Sequence, residues 1–202
     1  MRNTVALLVP LALSGCYAQI EDSSVSITRP ICDPATPNCI PGGGVPLNFI
    51  QASGRNTLKV PLGNQDFIKP QLAVGPTKLT SHLVLNQAVV DMKTAGADFK
   101  GITQATIFSA PRESTGTNDD PCAASTVCPM LASYDQATGG VADQQLVMKG
   151  TGTDLIPLID QVNHQLIIEV RAKGNGPGGP AILQWGANIT FDMGLSARVN
   201  YP

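Results

Sequence analysis

The chain has 202 residues and a formal net charge of -2, with 14% charged residues where soluble proteins usually carry roughly 25%. So sparse and balanced a charge gives no electrostatic footprint for nucleic acid or for anionic lipid head groups, and both drop out as partners recognised by charge. Aromatic residues at 4% leave few stacking platforms for bases or sugar rings, and Gly 20 with Pro 16 predicts little helix.

At the start of the chain, Arg2 supplies a positive segment, residues 5–13 form an apolar run, and Ser14 and Gly15 are the small residues that precede a signal-peptidase cut. The run is too short at 1.5 Å per residue to cross a hydrocarbon core of about 30 Å, so residues 1–15 read as a secretion signal. Leu13-Ser14-Gly15-Cys16 resembles the bacterial lipobox. The resemblance covers these sixteen residues only, and it implies that Cys16 is diacylated on its thiol before cleavage and often acylated again on its freed amine. Two or more acyl chains are what stable membrane anchoring requires. Tyr17 stands where inner-membrane lipoproteins of the best-studied kind carry Asp, which implies the outer membrane, facing the periplasm or the cell surface.

Four further cysteines, an even number in an exported chain, point to disulfides. Three pairings are open; local pairing of Cys32 with Cys39 and of Cys122 with Cys128 is favoured, because each pair is close in sequence and sits among prolines. Each bridge would staple a short loop, worth about 2 kcal/mol by chain entropy. A zinc site is the rival, but the cysteine spacings are wide and neither His82 nor His164 lies near them.

Residues 16–46 are polar, then rich in proline and glycine, and read as a flexible tether from the lipid, with the folded domain over 47–202. Leu58, Val60 and Leu62 alternate as a short strand that Pro61 places at an edge. Residues 83–92 and 102–109 read as strands, with a turn over 95–98. The stretch 110–140 is a long loop carrying the second cysteine pair, with one short helical turn expected near 129–134. Residues 144–149 follow as a strand, then a helical turn over 154–159 capping the sheet. In the next strand Leu166, Ile168, Val170 and Ala172 face the core, while Gln165, Ile167, Glu169 and Arg171 face away; residues 174–180 end it as a loop.

The last segment alternates most strongly: every odd position from Leu183 to Tyr201 is apolar. Period two over that length excludes helix, and the extended length requires a bend, expected at Gly186 or Gly194. The whole reads as an all-β protein, a β-sandwich of jelly-roll or immunoglobulin-like kind with long loops. A transmembrane barrel would need at least eight alternating strands, and one segment alone shows that pattern clearly.

No catalytic constellation emerges. The Gly-x-Ser-x-Gly elbow is absent, and the glycines of 174–179 lack the Lys-Ser/Thr of a phosphate loop. His82 and His164 read as solvated caps at strand ends, and Trp185 as a core residue. Asn118, Asp119 and Asp120 gather oxygens that could serve calcium, but without regular acidic spacing they read as a solvated loop. Asn188-Ile189-Thr190 matches a glycosylation sequon that a bacterial host leaves unused. No cofactor is implied. The leading expectation is a lipid-anchored, non-enzymatic envelope module that is structural or binds an envelope protein. A carbohydrate-binding or calcium-dependent adhesion module comes next. A hydrolase of envelope polymers, needing two carboxylates across a cleft, comes third.

Overall fold

The computed structural model describes residues 17–32, 42–47, 56–59, 78–110, 122, 128–160, 165–179, 182 and 184–200. They build an antiparallel all-β domain of nine strands: β1 (Tyr17–Ile31), β2 (Pro46–Leu47), β3 (Asn56–Lys59), β4 (Lys78–Met92), β5 (Ile102–Ser109), β6 (Met130–Asp135), β7 (Gln145–Gly150), β8 (Gln165–Asn175) and β9 (Ala187–Asn200). One helical turn, α1 (Gln136–Gly139), follows β6, and a single 3-10 turn spans Ile156–Leu158.

The pairing has a simple logic. β1 pairs with β9, β3 with β8, β4 with β7 and β5 with β6, so the chain is one long antiparallel hairpin doubled back on itself. Further pairing of β9 with β4 and of β8 with β5 rolls that hairpin up into two faces, β1-β9-β4-β7 and β3-β8-β5-β6. This is the jelly-roll connection, and it decides between the two sandwich topologies. Only the pairs Ala132↔Gly150 and Ser133↔Lys149 join β6 to β7, and there one face turns into the other.

The core lies between the faces. Ala187, Ile189, Phe191 and Met193 of β9 are buried, as are Leu83, Leu85, Ala88 and Val90 of β4, and they meet Ala105 and Ile107 of β5 and Leu166 and Ile168 of β8. The void left between the faces is about 10 Å³, lined only by apolar side chains including Leu85, Ile107, Leu131, Leu166, Phe191 and Met193. It has room for one water and no polar group to hold one, so it is dry. Apolar inside and polar outside is the reverse of a membrane barrel.

Both neighbours of the long last strand carry a bulge. Asn86 is an extra residue in β4 between the pairs Leu85↔Met193 and Gln87↔Asp192, and β1 shifts register between Ile20 and Ser23, opposite Ala197 and Leu195 and so nearer the end of β9. Such bulges increase twist and curve a sheet. Gly194 faces the Asn86 side chain. Gly150, at the end of β7, runs so close to the bulge that a Cβ there would collide with the Leu85 carbonyl and lie 2.8 Å from that of Asn86. Gly174 has φ +112 and abuts the Gly101 carbonyl, where a side chain would be both strained and blocked.

Four sequence readings are corrected. Residues 17–31, assigned to the tether, are a strand of the sheet, so the folded domain begins well before residue 47. The helical turn expected over 129–134 is strand β6, and the helical turn comes after it, where the Asp135 side chain accepts a hydrogen bond from Ala137 N at 2.9 Å and caps α1. β8 continues to Asn175, two residues into the stretch read as loop. Its outward side is also not solvated: Glu169 and Arg171 are buried as deeply as the core residues.

Candidate functional site

All strands run between two ends of the roll. β1 begins at the end where β9 stops and β4 starts, with Tyr17↔Asn200 and Lys78↔Asn200 in register. The end of β5, the start of β6 and the start of β8 lie together on the same side of the roll, with Met130 level with about Val84 of β4 and so short of that edge. The far end holds Ile31↔Ala187, Met92↔Ala187 and Asp91↔Gln145.

At the far end the loops are stitched to one another by backbone hydrogen bonds. Gly43 N donates to Pro177 O at 3.0 Å, Gly176 N to Val45 O at 2.8 Å, Gly178 N to Asp98 O at 2.9 Å, and Phe99 N to Asp143 O at 2.8 Å. Beneath this platform Phe99 packs edge-to-face on Trp185, with ring centroids 5.7 Å apart. That geometry favours aromatic pairs beyond their buried area. On its surface Lys100 reaches Asp98 and Asp143, each at 3.2 Å. The hydrogen bond with Asp143, then that with Asp98, holds the Lys100 ammonium above its ordinary 10.5.

The same end presents an apolar residue to solvent on a fixed loop. The Tyr134 hydroxyl donates to Gly140 O at 2.7 Å and accepts from Ala142 N at 3.0 Å, so the chain is pinned on both sides of Val141. Val141 is 64% exposed, the most exposed large apolar side chain among the described residues, and Val45 at the same end is 40% exposed. A rigid exposed apolar group loses little entropy when covered, which suits it to a partner contact.

Cys122 is bonded to Cys128, as local pairing predicts. These cysteines pack with Phe108, Ala110 and Ile167 into a small second core on the outer side of β5 and β8. There Arg171 donates through Nε and Nη2 to Glu169 Oε1, each at 2.7 Å, and its guanidinium lies 5.5 Å from the Phe108 ring centroid. On the other face His82 Nδ1 lies 3.0 Å from Asp154 Oδ2, while Asp154 Oδ1 accepts from Leu83 N and Ile156 N. His82 opposes Ser196 in register, so an Asp-His-Ser row crosses three chain segments. The Asp154 bonds fasten the 3-10 turn to β4.

The outer surface of β1, β9 and β4 carries a polar array. Asp192 accepts from Ser26 Oγ and from Gln87 Nε2, both at 2.8 Å, and Thr28 and Thr190 share a hydrogen bond of 3.0 Å. The Asn188-Ile189-Thr190 sequon lies in β9, with Ile189 inside and its neighbours on this surface.

Of the residues singled out in the sequence, Cys16, Cys39, Asn118, Asp119, Asp120 and His164 lie outside the described residues. Cys32 is disulfide-bonded. Trp185 is a core residue, 5% exposed. No group of three or more His, Cys, Asp or Glu that could hold a metal occurs among the described residues. Sequence reasoning missed Tyr134, Val141 and Lys100: Tyr134, near the end of β6, pins the loop that carries Val141, and Lys100 reaches Asp143 of that loop from another. It missed also the buried Glu169–Arg171 pair, whose i, i+2 spacing on a strand was the available signal.

No family model matches the chain, and no curated protein is similar to it. A chain of the Israeli acute paralysis virus full particle is similar over 90% of this chain and 71% of its own, at 12% identity and a TM-score of 0.32. The fold assignment rests on the strand pairing described above and not on that likeness.

Proposed function

We propose that the chain is a lipid-anchored envelope lipoprotein of the outer membrane, whose jelly roll is a non-enzymatic module that binds another envelope protein. The observation that carries this reading is the Leu13-Ser14-Gly15-Cys16 motif, placed one residue before an all-β domain that contains disulfides. Secretion and oxidation belong together, because disulfides persist outside the reducing cytosol. The surface offered to the partner is the far-end platform, where Val141 projects from a pinned loop beside Lys100, Asp98 and Asp143.

The test is a photo-crosslinking side chain at Val141 in the chain as it is made in a bacterial envelope, with a matching probe at Thr28 on the polar face. A discrete protein adduct at Val141 and none at Thr28 is the expected outcome. Adducts from Thr28 alone, or from neither position, would remove the far end as the binding surface.

A carbohydrate-binding module is the second reading, favoured by the outer array in which Asp192, Ser26 and Gln87 are already aligned by hydrogen bonds. Retention on envelope polysaccharide that is lost in Asp192→Ala and kept in Val141→Asp would select it over the protein-binding reading.

A further inference from the structure

We infer that the domain stands end-on on its membrane, with no tether between lipid and fold, so that the near end faces the bilayer and the far-end loops face away. This deepens the lipoprotein reading and rests on Cys16 being the anchored residue. The inference comes from the juxtaposition of that residue with the sheet. β1 starts at Tyr17, the very next residue, and is held in register against Asn200 of β9. Consecutive Cα atoms lie about 3.8 Å apart, so an acylated Cys16 has essentially no slack with which to lift or turn the domain.

The pairing then decides what lies near the lipid. Asn200 is also the register partner of Lys78, so the first residues of β1, the last of β9 and the first of β4 share one edge of the roll. On the other face β6 begins at Met130, which the registers of β6 with β7 and of β7 with β4 place level with about Val84, well short of that edge. In the opposite direction, β9 spans 14 residues at ~3.3 Å each, which puts its first residue some 40 Å from the anchor before allowance for tilt. Trp185, the single tryptophan, sits just beyond that start, beneath the far-end platform.

The chain from Cys16 onward retains every described residue, and its N-terminal cysteine can be joined to a thioester-bearing lipid by a reaction that only an N-terminal cysteine completes. Coupled this way to vesicles doped with a dansyl-headgroup lipid, the protein reports its orientation through energy transfer from tryptophan. Trp185 emission should be unchanged by the dansyl lipid. In Lys78→Trp, whose register partner Asn200 is also that of Tyr17, the added emission should be lost while the original component persists. Equal loss from both positions, or loss from Trp185 alone, would overturn the end-on orientation. Because the lipid is attached chemically, this outcome is independent of whether the cell acylates Cys16, which the mass of the envelope-extracted chain reports separately.

Discussion

Arg171 and Glu169, two residues apart on β8, form an ion pair on the strand face that alternation would expose to water, yet their side chains are only 5% and 4% exposed. Both guanidinium nitrogens converge on a single carboxylate oxygen, and the ring of Phe108 lies beside the cation. Phe108 belongs to the small second core with Ala110, Cys122, Cys128 and Ile167, so part of the outer side of β8 is buried as well as its inner side.

Breaking this pair should be expensive. Arg171→Met leaves a buried carboxylate without its cation, and such losses cost about 3–5 kcal/mol. Replacing both members, Glu169→Leu with Arg171→Met, should recover most of that, because a buried pair can often be exchanged for apolar residues of similar size. Urea unfolding of the two single variants and the double variant measures the coupling; additive losses would show that the two side chains act independently.

The bridge between Cys122 and Cys128 closes a loop with a sequence separation of 6. Chain entropy for so short a loop gives about 2 kcal/mol. Replacing both with serine should lower Tm by several degrees without unfolding the jelly roll, whose main core does not include them. Exchange of backbone amides should rise over the outer side of β5 and β8 and stay unchanged in β9.

How much of this was legible follows from where the side chains go. β9 was visible because one face is buried along most of its length and polar residues fill the other, and β5 because Ile102, Ala105 and Ile107 concentrate apolar groups. β1 was hidden. Its inward residues Val25, Ile27 and Ile31 are interleaved with Ser24, Ser26, Thr28 and Pro30, which resemble linker composition but suit an edge strand whose outer side is wet. In β6, apolar Leu131, Ala132 and Tyr134 imitate helical spacing, and tertiary pairing with β5 overrides it. Of the candidate site, Cys16 was legible because its motif is local. Val141, Tyr134 and Lys100 were not, since only the roll brings their segments to one end.

Gly150→Ala should destabilise strongly for its size. The new methyl would meet the Leu85 carbonyl, and its nearest neighbours are all backbone atoms of Leu85 and Asn86 with no flexible side chain to yield. Overpacking of this kind costs about 1–3 kcal/mol, and the upper end is expected here. A shift of the urea midpoint for Gly150→Ala, set against a negligible shift for Gly179→Ala at an open position, checks it.

Lys100 gives the pH dependence. Its ammonium is held above the ordinary 10.5 by Asp143 and Asp98, so its contribution is fully present below 10.5 and disappears as pH rises through the higher folded value. The effect is small because the lysine is exposed and the pairs are screened by salt. The difference in Tm between the natural chain and Lys100→Met should be constant from neutral pH to about 10.5 and close above it.

The most direct measurement is the intact mass of the chain extracted from a bacterial envelope that expresses it from its own start. A chain beginning at Cys16 and heavier by a diacylglyceryl group on sulfur is the expected product. An exported chain with an unmodified Cys16, or one cut at another residue, would contradict the anchoring on which the functional account rests.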